Sequence, residues 1–415
     1  MIALGFLISV RINYRICLFY KIRFRRSFMK EINIQCILLT SLAFLMGLSQ
    51  FIVVGILNNL SDSFHISISY MGGLVTLFAL VYAITTPIIN LSVGHTPLYR
   101  VLIIFFMMFA IGNLLTAIAN DFAMLIVSRI LTALASGPSI SIAITFAAAI
   151  APIEKRSWMV SWVFSGFSIA SVFGVPLGTW ISDNLNWRFI FWAIFSLSLI
   201  LVFFINHLLP HNLKQSGNGG LIQQLTILSN KHILLGITIP VFNFAAIYTI
   251  YTYLKPLLIY KFSFSHNLII FILFFYGFCG LISNQISGRI ANVDWMKNLQ
   301  KFLLIQIISL ITIFLIGNFK WLSLIAIFTM ALTMSVQNSP IQLYYMQIAK
   351  IHYPQSLVLA SSFNSIFSNV GVAIGSAMGG YTVSSFGLGY LGLTGSIFSL
   401  LAIYVLILLN RESAN

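Results

Sequence analysis

The sequence predicts an all-α membrane protein, with twelve transmembrane helices in two pseudo-symmetric six-helix halves. Three observations carry this. Only 7% of the 415 residues are charged and 59% are hydrophobic, with a mean hydropathy of +0.99. Soluble domains average about 25% charged residues, so this chain lacks the polar surface to cover a particle of its size in water. The apolar runs are long and do not alternate with period two, so they read as spanning helices rather than barrel strands. Finally, small residues and prolines recur at one offset near half the chain: Gly174 and Gly178 against Gly375 and Gly379, and Pro138 against Pro340. Such an offset marks a parallel internal repeat.

In chain order the spans fall at 36–57, 68–90, 100–119, 122–147, 158–181 and 188–208. They continue at 233–254, 267–288, 302–318, 321–346, 357–381 and 388–410. Each holds about the 20 apolar residues that cross a bilayer. The links between them are mostly short. The longest, 209–232 ("PHNLKQSGNGGLIQQLTILSNKH" from Pro210), is polar and contains glycine. It is expected to be a cytoplasmic linker between a first half at 29–208 and a second half at 233–415. Residues 1–28 place an apolar stretch before a basic one, the reverse of a signal peptide. They read as a basic cytoplasmic arm, or as an extension ahead of a true start at Met29.

Charge sets the expected orientation. With both termini in the cytoplasm, seventeen of the 22 lysines and arginines fall inside and four outside (Arg188, Lys255, Lys261, Lys320), as the positive-inside rule asks. A multi-pass protein of a bacterial-type cytoplasmic membrane follows. The formal charge of +15 therefore reads as orientation, with the lipid bilayer as partner and no nucleic acid. The three cysteines are widely spaced and show no metal or disulfide pattern.

The stretch "FGVPLGTW" (173–180) puts Gly174, Pro176 and Gly178 inside an uncharged apolar run. Proline removes a helix hydrogen bond, and glycine costs roughly 1 kcal/mol against alanine. Spacing supplies a reason. Gly166, Ala170, Gly174 and Gly178 are four apart, as are Gly371, Gly375 and Gly379, and Gly280, Asn284 and Gly288. Each set shares one helix face, where small residues let helices approach closely. Two readings fit: a tight bundle of any kind, or a sliding seam between two halves.

The stretch "GFSIASVFGVPLGTWISDNLNWRFIFW" (166–192) resembles the fifth-span motif of the major facilitator superfamily, in its twelve-span drug:proton antiporter branch. "GLVTLFALVYAITTP" (73–87) and "SRILTALASG" (128–137) look like that branch's second and fourth spans. "YTIYTYLKP" (248–256), "GFCGLISNQISGRIAN" (277–292) and "SFNSIFSNVGVAIGSAMGG" (362–380) look like spans seven, eight and eleven of purine-efflux and arabinose-efflux-type permeases. The similarity covers about 30–410. It implies alternating access, with spans five and eight, and two and eleven, meeting between the halves.

Arg129 is the one charge within a span, and charges there default to function. The resemblance implies a place near the central cavity and a tie to proton coupling. The alternative is a brace on span one. Where the branch often carries a span-one acid, this chain has Gln50, which cannot titrate. That puts proton antiport in question while leaving protons as a candidate coupling ion. The gating loop after span two keeps only Arg100. Its counterpart keeps Gly288 and Arg289 but has Asn292 for the acid, so easier opening to the cytoplasm is expected.

The candidate substrate residues are Gln50, Arg129, Asn243, Tyr248, Tyr251, Asn338, Gln342 and Asn364. Amides read donors and acceptors, and tyrosines offer faces. The set suits a small, planar, weakly charged solute: a nucleobase or nucleoside, a sugar or a drug. No phosphate loop and no buried catalytic cluster is legible, so no enzyme, cofactor or metal is expected. The reading is a monomeric secondary transporter working in efflux. The alternatives are an uncoupled facilitator and a transporter-derived sensor or scaffold.

Overall fold

The computed structural model describes residues 32–92, 96–152, 155–213, 225–291, 294–316 and 319–414. The expected arm at 1–28, the middle of the linker, His95 and Asn292 lie outside the described residues. Among those described, eleven helices are long and apolar enough to cross a membrane, beginning with Ile32–Gly55. A twelfth, Leu357–Ser385, is long enough but rich in Ser, Gly and Asn. In span order the others are Ile68–Ser92, Leu98–Ala117, Phe122–Ile150, Trp158–Asn184, Arg188–Leu208, Lys231–Tyr251, His266–Ile290, Trp295–Leu315, Lys320–His352 and Leu391–Ala414. The fold class read from the sequence is the fold observed.

Four spans are interrupted within or at the edge of their expected ranges; in span seven the break is a turn at Thr252–Tyr253. Span one ends in a turn at Ile56 and continues as Leu57–Phe64. Span five carries a π-turn at Ala170–Gly174, with Val175 N–H bonded back to Ala170. Pro176, which has no N–H, follows at once, and the wider turn absorbs its missing bond. Span ten breaks between Lys320–Thr333 and Asn338–His352.

The glycine faces pack within each half. Gly166 looks at the backbone of Thr40 and Phe44, Gly174 at Leu48, and Gly178 at Ile52, all in span one. Gly371, Gly375 and Gly379 look at Val241, Ala245 and Thr249 in span seven. Span five on span one is thus repeated as span eleven on span seven. The seam reading does not hold for these faces, because their partners lie in the same half. Between the halves, span two packs on span eleven, and the π-turn of span five on span eight. Close approaches there are at Gly277, where a Cβ would stand 2.7 Å from the Ser171 carbonyl oxygen, and at Gly72, where it would run into the Tyr253 ring and hydroxyl. Gly288 has nothing within 4 Å, and Arg289 beside it is exposed.

This packing predicts an asymmetry. At Gly375 an added Cβ meets rigid backbone, with Ala245 Cα at 2.8 Å; at Gly174 it meets the end of the Leu48 side chain at 2.7 Å. Gly375→Ala is expected to cost about 2–3 kcal/mol, and Gly174→Ala less than half of that. Thermal unfolding of the two variants in detergent checks the order.

Candidate functional site

The bundle has two ends. One holds the start of span one and the end of span twelve; the other is called distal here. In mid-bundle, spans one, two, seven and eleven close around a cavity of about 10 Å³, lined by Gln50, Phe51, Val75, Phe78, Tyr248 and Val372 among others. That is room for about one water. Gln50 is half-buried on its wall. Tyr248 meets Tyr251 edge-on at 5.3 Å, and Tyr251 stacks on Tyr276 at 5.0 Å and 11°. Tyr276, on span eight, escaped the sequence reading because nothing in its local pattern sets it apart from a packing aromatic.

Arg129 stands behind this wall. It is 1% exposed. Its guanidinium donates to the Ser49 carbonyl at 3.0 Å and the Ser49 hydroxyl at 3.4 Å, and lies 4.8 Å from the centre of the Phe78 ring. Ser49 donates on to Asn113 Oδ1 at 2.8 Å. Spans four, one and three are thereby tied together. No carboxylate pairs with Arg129 among the described residues. These are the contacts of a brace on span one.

The amides gather in the second half. Asn243 Nδ2 donates to the Met334 carbonyl at 3.2 Å, and Asn364 Nδ2 reaches Asn338 Oδ1 at 3.5 Å. Gln342 is half-buried one turn beyond Asn338. A second cavity, of about 250 Å³, opens at the end that holds the termini, beside His232, Tyr344, Gln347 and His352. It belongs wholly to the second half.

The distal end is closed by contacts that cross between the halves. Lys255, one of the four cations counted outside, is buried there, its side chain 1% exposed. It donates to Asp183 Oδ1 at 2.8 Å and to Asn59 Oδ1 at 3.0 Å. Asn59 Nδ2 in turn donates to Asp183 Oδ1 at 3.1 Å. Asp183 ends span five, Asn59 follows span one, and Lys255 follows span seven. His266 Nδ1 stands 3.9 Å from Asp183 Oδ2. Burial pushes the Lys255 ammonium below the ordinary lysine value, while its hydrogen bond to Asp183 and the charges of Asp183 and Asp62 oppose that. Nearby, Asn58 donates to Tyr260 at 3.2 Å and Ser69 to the Gly380 carbonyl at 2.6 Å. Tyr253 bonds both Ser69 and Ser376 carbonyls. Among the described residues, the ion pairs at the other end, Lys231–Glu412 and Lys297–Asp294, lie within the second half.

Residues 39–358 match the profile of the Major Facilitator Superfamily. The chain belongs to that superfamily. It is 30% identical over 346 residues to the "Uncharacterized MFS-type transporter YtbD" of Bacillus subtilis, covering 83% of this chain and 87% of that one. It is 26% identical over 385 residues to a "Probable sugar efflux transporter" of Helicobacter pylori, covering 92% and 96%. The fold matches a bacterial homologue of the lysosomal transporter Spinster, with a TM-score of 0.71 at 14% identity over 92% of this chain and 97% of that one. The charged and hydrogen-bonded closure thus lies at one end of the interface between the halves.

Proposed function

We propose that the chain exports a small, polar, uncharged organic solute across the cytoplasmic membrane by alternating access, with both termini in the cytoplasm and the distal end outside. The observation that carries this is the cavity at the meeting of spans one, two, seven and eleven. Its lining comes from both halves and is mostly apolar, with one polar side chain from each half, Gln50 and Tyr248, and it is sealed outside by the Lys255–Asp183–Asn59 contacts. At about 10 Å³ it is far below the 300–1,000 Å³ of a ligand site, so loading requires the halves to part at the inner end. The inner end has no ion pair crossing the halves among the described residues. The relative named as a sugar efflux transporter supports the direction. The chemistry asks for no catalysis and no cofactor, only binding and rocking.

Alternating access gives span seven two tasks. Tyr248 lines the cavity, Tyr251 packs edge-on against it, and four residues after Tyr251 Lys255 fastens the outer end. Between them the helix is irregular, with a turn at Thr252–Tyr253 and a π-turn at Leu257–Lys261. A solute that displaces the tyrosines bears directly on the segment that holds the gate.

The test is counterflow in proteoliposomes of the purified chain, with pentoses, nucleosides and nucleobases as labelled solutes. Saturable exchange without ATP is expected for one of these classes. Exchange of none of them, in vesicles that hold folded protein, contradicts transport and favours a sensor or scaffold. No carboxylate lines the cavity, so an imposed pH gradient is expected to drive no uphill accumulation. Accumulation that collapses with the gradient would place a titrating group on the transport path.

A further inference from the structure

We propose that the break in span ten is a hydroxyl-reading subsite, and that the solute of the proposed function is a polyol with at least two adjacent hydroxyls. The term solute rests on the transport reading; the subsite itself rests on unpaired polar atoms.

The break is a built feature. Span eight holds it open: Ser283 Oγ accepts the N–H of Ser335 and Ser287 Oγ that of Ser339, both at 2.8 Å. Pro340 has no N–H, so the Val336 carbonyl loses the donor a helix would give it. Around these residues three amides carry polar atoms with no partner. Gln337 is fully buried, and neither its Nε2 nor its Oε1 is bonded. Asn243 is 1% exposed. Its Nδ2 must face the Met334 carbonyl, which can only accept, and so its Oδ1 is left over, buried and unbonded. Asn364 spends its Nδ2 on Asn338 and leaves its Oδ1 unbonded. Each such atom destabilises the empty protein, and folded proteins keep few of them.

The census selects the ligand. It comprises one donor group and three acceptors, all neutral. A metal cation would serve the oxygens but leave Gln337 Nε2 unpaired. A carboxylate would serve Nε2 and be repelled by the three oxygens. A hydroxyl donates once, accepts twice and rotates to suit. Two neighbouring hydroxyls can therefore satisfy Gln337 on both atoms and donate to an asparagine oxygen. The wall beside them suits the apolar face of a sugar ring: Tyr276 hydroxyl lies 3.8 Å from Met334 Sδ, and its ring stacks on Tyr251, which meets Tyr248 at the cavity. A chain of packed side chains thus links the subsite to the central cavity.

The experiment is thermal unfolding of the full chain in detergent against D-ribose, 2-deoxy-D-ribose, adenine and sodium chloride, each in the wild type and in Gln337→Met. A ligand that binds the folded state raises the midpoint by mass action. Ribose is expected to raise it saturably. The 2-deoxy sugar keeps one adjacent pair, at C3 and C4, and is expected to raise it too, at about two to ten times the concentration because fewer hydroxyl pairs are on offer. Gln337→Met is expected to lose the ribose response yet unfold no earlier than the wild type, since an orphaned amide has been replaced by an apolar group of like shape. If that variant does not fold, Asn364→Leu is expected to weaken ribose in the same way. A response to adenine or sodium that ribose does not share overturns the proposal, as does a ribose response unchanged in both variants. Counterflow separates the two readings. Exchange of adenine but no ribose leaves transport standing and removes the polyol subsite. Ribose binding without any exchange leaves the subsite and removes transport.

Discussion

Replacing Lys255 by methionine is expected to open the outer end and to cut net export by more than tenfold. In the closed state Lys255 is 1% and Asp183 14% exposed, at 2.8 Å. Removing one partner of such a pair leaves the other charge unpaired and costs about 3–5 kcal/mol. The cost falls on the closed state, because in the open state both groups reach water. A shift of that size moves a two-state equilibrium by more than a hundredfold. The check is the rate at which a membrane-impermeant maleimide labels a Ser69→Cys reporter, whose side chain sits under the closed end. Labelling is expected to rise in Lys255→Met and in Asp183→Asn. It is expected to fall back part of the way in the double variant, where no lone charge remains. Equal labelling in all four proteins contradicts a gate.

Arg129 gives the second large effect. Arg129→Ala is expected to lower stability by about 3 kcal/mol, since it empties a fully buried site and leaves the Ser49 carbonyl without its donor. Arg129→Lys is expected to keep part of this, at a cost of about 1–2 kcal/mol. A single ammonium does not reproduce the fork over Ser49 or the flat contact on Phe78. The unfolding midpoint measures both. Counterflow per folded molecule separates bracing from coupling. The contacts observed are those of a brace, so Arg129→Lys is expected to be less stable but still to exchange solute. A variant of wild-type stability with no exchange contradicts that.

Much of the architecture was legible because a bilayer imposes one rule on every span. Length, apolarity and the bias of Lys and Arg need no knowledge of neighbours, and the offset between Gly174 and Gly375 reports the repeat directly. Contacts between spans were less legible. Spacing of four placed Gly166, Gly174 and Gly178 on one face, but it could not say whether that face met span one or span eight. Approaches between the halves use isolated glycines such as Gly277, whose partner is the Ser171 backbone, and Gly72, which faces Tyr253, and isolated positions carry no periodicity. Lys255 and Asp183 are 72 residues apart. Each read as an ordinary charge at a span end, and only the fold brings them together. The break in span ten was not legible for a similar reason. Its stability comes from Ser283 and Ser287 on another helix. Of the candidate substrate residues, Gln50 and Tyr248 stand on the cavity. Asn243, Asn338 and Asn364 lie at the break, and Arg129 stands behind the wall.

The most direct test of the account is a reversible clamp on the outer end. Ser69 Oγ bonds the Gly380 carbonyl, and a Cβ at Gly380 would lie 3.4 Å from Ser69 Oγ. The pair Ser69→Cys and Gly380→Cys, with Cys17, Cys36 and Cys279 replaced by alanine, is therefore placed to form a disulfide. Counterflow of a solute that the parent protein exchanges is then measured before and after reduction. The account predicts that oxidation stops exchange and that reduction restores it. Exchange that continues at the parent rate with the disulfide formed would contradict alternating access through this end.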